Sequence, residues 1–179
     1  PENLHLYLLI GESNMAGQAE IPEDAGAIID RCYLLNDKNE WEPARNPLNR
    51  YSSIAKGDTV QKLGPGYGFV RKMLEQNKDI NIGLIVNAHD GSKIDEWLGK
   101  SEIYWGARKR AKAAMNYGTL KGVLWHHGES DSQSADGYLE KLQSLVGNLR
   151  SDLSDTALPF VAGQIHKGPE INAQIAKLP

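Results

Sequence analysis

The chain carries a single cysteine, Cys32, which excludes an internal disulfide framework and a multi-cysteine metal site. A lone cysteine fits oxidising and reducing compartments alike, so the compartment stays open. No apolar run approaches the roughly 18 residues of a membrane-spanning helix, and no membrane partner is expected. Charge of one sign is also lacking: the net charge is −3 with the signs interspersed. The one cationic cluster, Arg108 to Lys112, falls on a helix face and reads as solvated surface, so no nucleic-acid partner is expected. Internal repeats and low-complexity tracts are missing too. The chain begins Pro1-Glu2-Asn3 without a methionine, and no targeting signal can be read from it.

What is present is the composition of an ordinary globular domain, 40% apolar and 24% charged over 179 residues. One domain spanning 1–179 is expected, burying roughly 70% of its unfolded surface. Short apolar runs read as buried strands: His5 to Ile10, Ile80 to Val86, Gly122 to Trp125, and Leu158 to Gly163. Helical patterns alternate with them. Phe69, Val70, Met73 and Leu74 share one face, as do Tyr138, Leu142, Leu145, Val146 and Leu149. A third helix is expected from an N-cap at Ser101 to a stop at Gly118.

Strands alternating with helices imply right-handed crossovers and a mostly parallel, flavodoxin-like sheet in a three-layer α/β/α sandwich. The proline-bearing stretch from Glu20 to Gly66 breaks the rhythm and reads as a long excursion with a small hairpin, Cys32 to Leu35 against Glu40 to Glu42. Its aromatics Tyr33, Trp41 and Tyr51, together with Trp97, are either a sugar-stacking wall or packing anchors.

Ligands of such a sheet sit beyond the carboxyl ends of the strands, so the loops there carry the search. After the first strand comes Gly11-Glu12-Ser13-Asn14-Met15-Ala16-Gly17, a serine at a strand-to-helix turn. Its hydroxyl is placed either to attack a carbonyl or to cap the helix. After the second comes Asp90-Gly91-Ser92, where a glycine lets a backbone N–H approach a developing oxyanion. After the third comes His126-His127-Gly128-Glu129-Ser130-Asp131. Adjacent residues at a strand end point to opposite faces, so a polar oxyanion loop is favoured there over a metal site. His126, bracketed by Trp125 and Gly128, reads as a core histidine held by hydrogen bonds.

These blocks together resemble the SGNH-type carbohydrate esterases of the acetylxylan esterase and sialate O-acetylesterase group. Gly11 to Gly17 is similar to that group's Gln-Ser-Asn-Met-(Ala/Ser)-Gly block, and Trp125 to Asp131 to its Trp-His-Gln-Gly-Glu-x-Asp block. Gly91 to Trp97 resembles the Gly-Gly-Thr-Ser-x-x-x-Trp block, and Leu63 to Phe69 the Gly-Pro-x-x-x-Phe segment. The resemblance implies a serine esterase that removes O-acetyl groups from carbohydrate through an acyl-enzyme, with no cofactor and no metal. Its partner would be an acetylated glycan or a small acetyl ester, a substrate class that leans towards a secreted or periplasmic setting.

Carried over by position, the resemblance implies Ser13 as nucleophile and an oxyanion hole made by the N–H of Ser13, the N–H of Gly91 and the side chain of His127. Glu129 would support the base, and Asn14, Asp90, Trp97 and His166 would form the substrate loops. Glu12 and His127 each stand where the group has Gln. The group's base lies in an Asp-x-x-His motif absent from this sequence, so a tail beyond Pro179 is expected to carry it. The alternative is a catalytically silent carbohydrate-binding module of the same fold.

Overall fold

A computed structural model describes residues 1–53 and 61–179. Six strands form one sheet: β1 (Leu4–Gly11), β2 (Cys32–Leu35), β3 (Trp41–Pro43), β4 (Asn81–Val86), β5 (Thr119–His126) and β6 (Phe160–Gly163). Their order across the sheet is β3-β2-β4-β1-β5-β6. Every pairing is parallel except that of β2 with β3. The helices are α1 (Ser13–Ala16), α2 (Gly66–Gln76), α3 (Glu102–Ala114), α4 (Tyr138–Asp152) and α5 (Pro169–Ile175).

The alternation of side chains along β1 explains the layering. Leu4, Leu6, Leu8 and Ile10 enter one core with the apolar faces of α3, α4 and α5, while Tyr7 and Leu9 enter a second core with Val70 and Leu74 of α2. Burial on both faces is what a continuous apolar strand in a parallel sheet requires. The expected three-layer sandwich is therefore the observed one.

Two expectations change. The hairpin of the long excursion is part of the sheet, because β2 pairs in parallel with β4 from Cys32 opposite Ile82 to Leu34 opposite Leu84. Its brevity hid that role, and Trp41 belongs to the packing: a Cβ on Gly83 would meet its ring at 2.8 Å. Ser101 does cap α3, its hydroxyl accepting from the Tyr104 amide at 3.2 Å. The helix nevertheless ends at Ala114. Gly118 has another duty, since a Cβ there would stand 2.4 Å from the Leu4 carbonyl oxygen.

Gly11 ends β1 at a φ of 140°, and a Cβ on it would fall 2.0 Å from the His126 carbonyl oxygen. Only glycine lets the ends of β1 and β5 meet this closely. The Glu12 amide then donates to that same carbonyl at 3.0 Å, and the His89 amide donates to the Gly11 carbonyl at 2.8 Å. The loops after β1, β4 and β5 are thereby brought to one edge.

Candidate active site

Ser13 is the first residue of α1, and Glu12 is its N-cap. No side chain caps this helix, and the Ser13 hydroxyl has no hydrogen-bond partner among the described residues. The half-buried hydroxyl is thus uncommitted. Beside it, Asn14 is exposed and donates from its side-chain amide to Oε1 of Glu129.

Glu12 turns away from this surface. It is 1% exposed, and its Oε1 accepts from the amides of Gly128 at 2.9 Å and Ser130 at 3.1 Å. Its Oε2 accepts from the Ser130 hydroxyl at 2.5 Å. Burial alone would raise the Glu12 carboxyl, but the Ser130 hydroxyl and the amides of Gly128 and Ser130 hold it below the ordinary carboxylate value. The ionised group is therefore a structural acceptor that ties the 128–130 turn to the end of β1. Glu129 shifts the other way: burial raises its carboxyl, and the nearby Glu12 adds to the rise against donation from its own backbone amide and Asn14.

The two histidines of the third loop exchange the places expected for them. His127, the expected oxyanion donor, is fully buried. Its ring stacks on Trp125 with centroids 4.6 Å apart, and its nitrogens meet the Ser92 carbonyl at 2.9 Å and the Tyr138 hydroxyl at 3.2 Å. It has no face left for a substrate oxygen. Burial drives its imidazole below the ordinary histidine value despite Glu12 and Asp131 nearby, so it is neutral at pH 7. A carbonyl can only accept, which places the single proton on Nε2.

His126, expected in the core, faces a cleft of about 500 Å³ instead. The cleft is lined by Asn14, Gln18, His126, Gln164 and His166, with Leu63, Gly64 and Pro65 among the residues of its walls. Nδ1 of His126 lies 4.0 Å from Oε1 of Glu129. The error has a simple physical source. Both histidines end one strand, alternation sends them to opposite faces, and the sequence does not say which face opens. Val123 and Trp125 enter the core shared with α3 to α5, and His127 follows them into it.

Of the expected substrate residues, Asn14 and His166 line the cleft. The loop bearing His166 is pinned by Asn172, whose side chain exchanges hydrogen bonds of 2.8 Å with both the amide and the carbonyl of Ile165. Asp90 and Gly91 stand in the turn after β4, outside the cleft's lining. Gly91 is exposed at a φ of 67°, a left-handed conformation that suits glycine.

Trp97 is not a sugar platform. It is fully buried, its indole N–H donates to the Ser92 hydroxyl at 2.9 Å, and its ring meets Trp125 edge to face at 5.3 Å. Tyr51 likewise anchors packing, donating to Glu42 at 3.0 Å under the Arg50 guanidinium. Gln18, Gln164 and His126 are cleft residues that sequence reasoning missed. Gln164 and His166 flank the buried Ile165, an alternation that marks both as outward-facing.

Tyr138 closes the buried part of the site. Its hydroxyl accepts from Trp125 Nε1 at 3.3 Å, and its one proton is shared between the His127 carbonyl at 3.0 Å and the unprotonated Nδ1 of His127 at 3.2 Å. Replacing it with Phe leaves those buried partners unsatisfied, so Tyr138→Phe is expected to cost about 2 kcal/mol in urea denaturation. A neutral result would mean the hydroxyl carries no structural role. No group of three or more residues able to hold a metal ion occurs among the described residues.

The layered sheet and the polar loops gathered at its carboxyl edge define an α/β protein of the SGNH-esterase architecture. A family model described as carbohydrate esterase, sialic acid-specific acetylesterase, matches residues 3–178, and the chain belongs to that family. It is 31% identical over 184 residues to a protein of Arabidopsis thaliana named as a probable carbohydrate esterase, covering 91% of this chain and 69% of that one. The X-ray structure of that Arabidopsis thaliana protein superposes with a TM-score of 0.85 at 28% identity, over 98% of this chain and 79% of the other. The crystal structure of NanS shares the fold at a TM-score of 0.77 and 18% identity, over 98% and 73% of the two chains. A carbohydrate acetylesterase from Xanthomonas citri does so at 0.67 and 17%, over 96% and 47%.

Proposed function

We propose that the protein is a serine esterase that releases acetate from O-acetylated carbohydrate, the cleft beside Asn14 receiving the sugar. The observation that carries this reading is Ser13: a half-buried hydroxyl with no structural partner, at the turn from β1 into α1 and next to a cleft residue. In the proposed reaction Ser13 Oγ attacks the acetyl carbonyl carbon while its proton passes to a base. The C–O bond to the sugar then breaks, and the sugar oxygen takes the proton back. Water next attacks the acetyl-serine ester, yielding acetate and free Ser13.

Two backbone donors are available for the oxyanion in this reading. The Ser13 N–H, as the first of a helix, has no intrahelical acceptor, and the exposed Gly91 turn supplies the second. His127 drops out as a direct donor because it is buried and engaged. Glu129, tethered by Asn14 and facing His126, would orient an imidazole at the cleft. The resemblance places the base itself in an Asp-x-x-His segment. His126 and His166 are the imidazoles at the cleft within the present sequence.

The test is acetate release from p-nitrophenyl acetate, acetylated xylan and O-acetylated sialic acid, by this chain and by the full gene product, each beside its Ser13→Ala variant. Ser13-dependent release supports the esterase. Retention of an acetylated glycan without hydrolysis in either protein would replace it with the binding-module reading.

A further inference from the structure

His127 is buried too deeply to touch substrate, yet it is tied to a loop that the proposed reaction needs. Its Nε2 donates to the carbonyl of Ser92, the residue after Gly91, at 2.9 Å. Ser92 is itself 1% exposed and anchored from several sides. Its amide and hydroxyl donate to the His89 carbonyl at 3.3 Å and 2.9 Å, and its hydroxyl accepts from the Trp97 indole. Gly91 itself stands open: it is exposed, and nothing lies within 4 Å of where its Cβ would be. The Gly91 amide therefore lies one residue before a fixed point, whose carbonyl is held across 35 positions of chain by the His127 imidazole.

The imidazole is fixed in turn. Trp125 stacks on one face, the Tyr138 hydroxyl meets Nδ1, and the carboxylates of Glu12 and Asp131 stand 4.0 Å and 3.9 Å from the ring nitrogens. Asp131 also accepts from the Ile94 amide at 2.8 Å, just beyond Ser92 and Lys93. Two links therefore run from the loop after β5 to the loop after β4, one at each side of Lys93.

We propose that His127 is a positioning residue, a buried strut that sets the Gly91 N–H at the oxyanion through the Ser92 carbonyl without contacting substrate. The proposal rests on the esterase reading. Displacing an oxyanion donor by about 1 Å costs on the order of 100-fold in rate, and substrate binding at the cleft, made by other residues, is spared. The strut should act on kcat and leave KM alone.

The experiment uses the full gene product with p-nitrophenyl acetate. His127→Phe keeps the ring's volume and its stacking on Trp125 but removes the donor to Ser92, while His127→Gln restores an N–H of similar reach. We expect His127→Phe to lower kcat roughly 100-fold with KM within about twofold, and His127→Gln to recover most of the loss. Amide hydrogen exchange should also show lost protection at residues 91–93 in His127→Phe, with the sheet unchanged. Normal kcat in a folded His127→Phe, a fall expressed in KM, or unchanged exchange at residues 91–93 overturns the strut. Wild-type protein lacking Ser13-dependent activity overturns the esterase reading instead, and the exchange comparison still decides whether His127 holds the loop.

Discussion

Ser13→Ala is expected to reduce acetyl-ester hydrolysis by roughly 10⁴-fold or more, while the melting temperature moves by less than about 2 °C. The kinetic half follows from the proposed chemistry: without Oγ no acyl-enzyme forms, and what remains is slow attack by water in a site that still binds substrate. The thermal half follows from the helix. Ser13 follows the N-cap, and its side chain makes no cap hydrogen bond. Its carbonyl accepts from the Gly17 amide at 2.9 Å, a bond that alanine keeps. Alanine also has the higher helix propensity. Kinetics on a soluble acetyl ester and a thermal melt of the same preparations decide the matter. A melting temperature lowered by 5 °C or more would mean that Ser13 serves the fold, and retained activity would move the nucleophile elsewhere.

The sheet was largely legible because parallel strands buried on both faces leave unbroken apolar runs, as β1 and β4 do, while β5 and β6 carry shorter apolar runs and Val161 of β6 is exposed. β2 and β3 were visible as a hairpin but not as sheet members. A strand of four residues joined in parallel to a distant β4 carries no local sign of its partner. The same limit shaped the site. Motif spacing placed Ser13, Asn14, Gly91 and Glu129 on the loops at the carboxyl edge, and a block pattern requires no more than that. Which way a side chain turns at the end of a strand depends on which face a helix covers. That is why His126 and His127 stand in each other's expected places, and why the choice for Trp97 between sugar wall and packing anchor falls to the structure, which buries it.

Glu12 shows how far an apparent defect changes once its surroundings are known. In sequence it is a carboxylate next to the proposed nucleophile, a poor neighbour for a developing oxyanion. In the fold its charge is spent on the Gly128 and Ser130 amides and the Ser130 hydroxyl, so the turn that carries Glu129 is closed by it.

Removing that acceptor should therefore be severe. Glu12→Leu leaves the buried Gly128 amide and the half-buried Ser130 amide and hydroxyl without partners, and a loss of about 3 kcal/mol at pH 7 is expected. In a domain of this size that corresponds to a melting temperature lower by roughly 6 to 12 °C. Glu12→Gln keeps one carbonyl oxygen for the two amides and should lose only about 1 kcal/mol. The dependence on acid separates this account from simple loss of volume. The folded-state carboxyl of Glu12 lies below its ordinary value of 4.5, so its stabilisation is present above that pH and is lost as pH falls through the folded value. Glu129, shifted upward, contributes with the opposite sign: its share is present below 4.5 and is lost as pH rises through its own folded value. Glu129 remains in the variant but loses the part of its rise that Glu12 causes, so the gap between wild type and Glu12→Leu reports on Glu12 together with its coupling to Glu129. Denaturant titrations at pH 7 and pH 3 should show the gap wide at the first and narrowed at the second. A gap of equal size at both would mean that the Glu12 charge contributes nothing and that the variant suffers from packing alone.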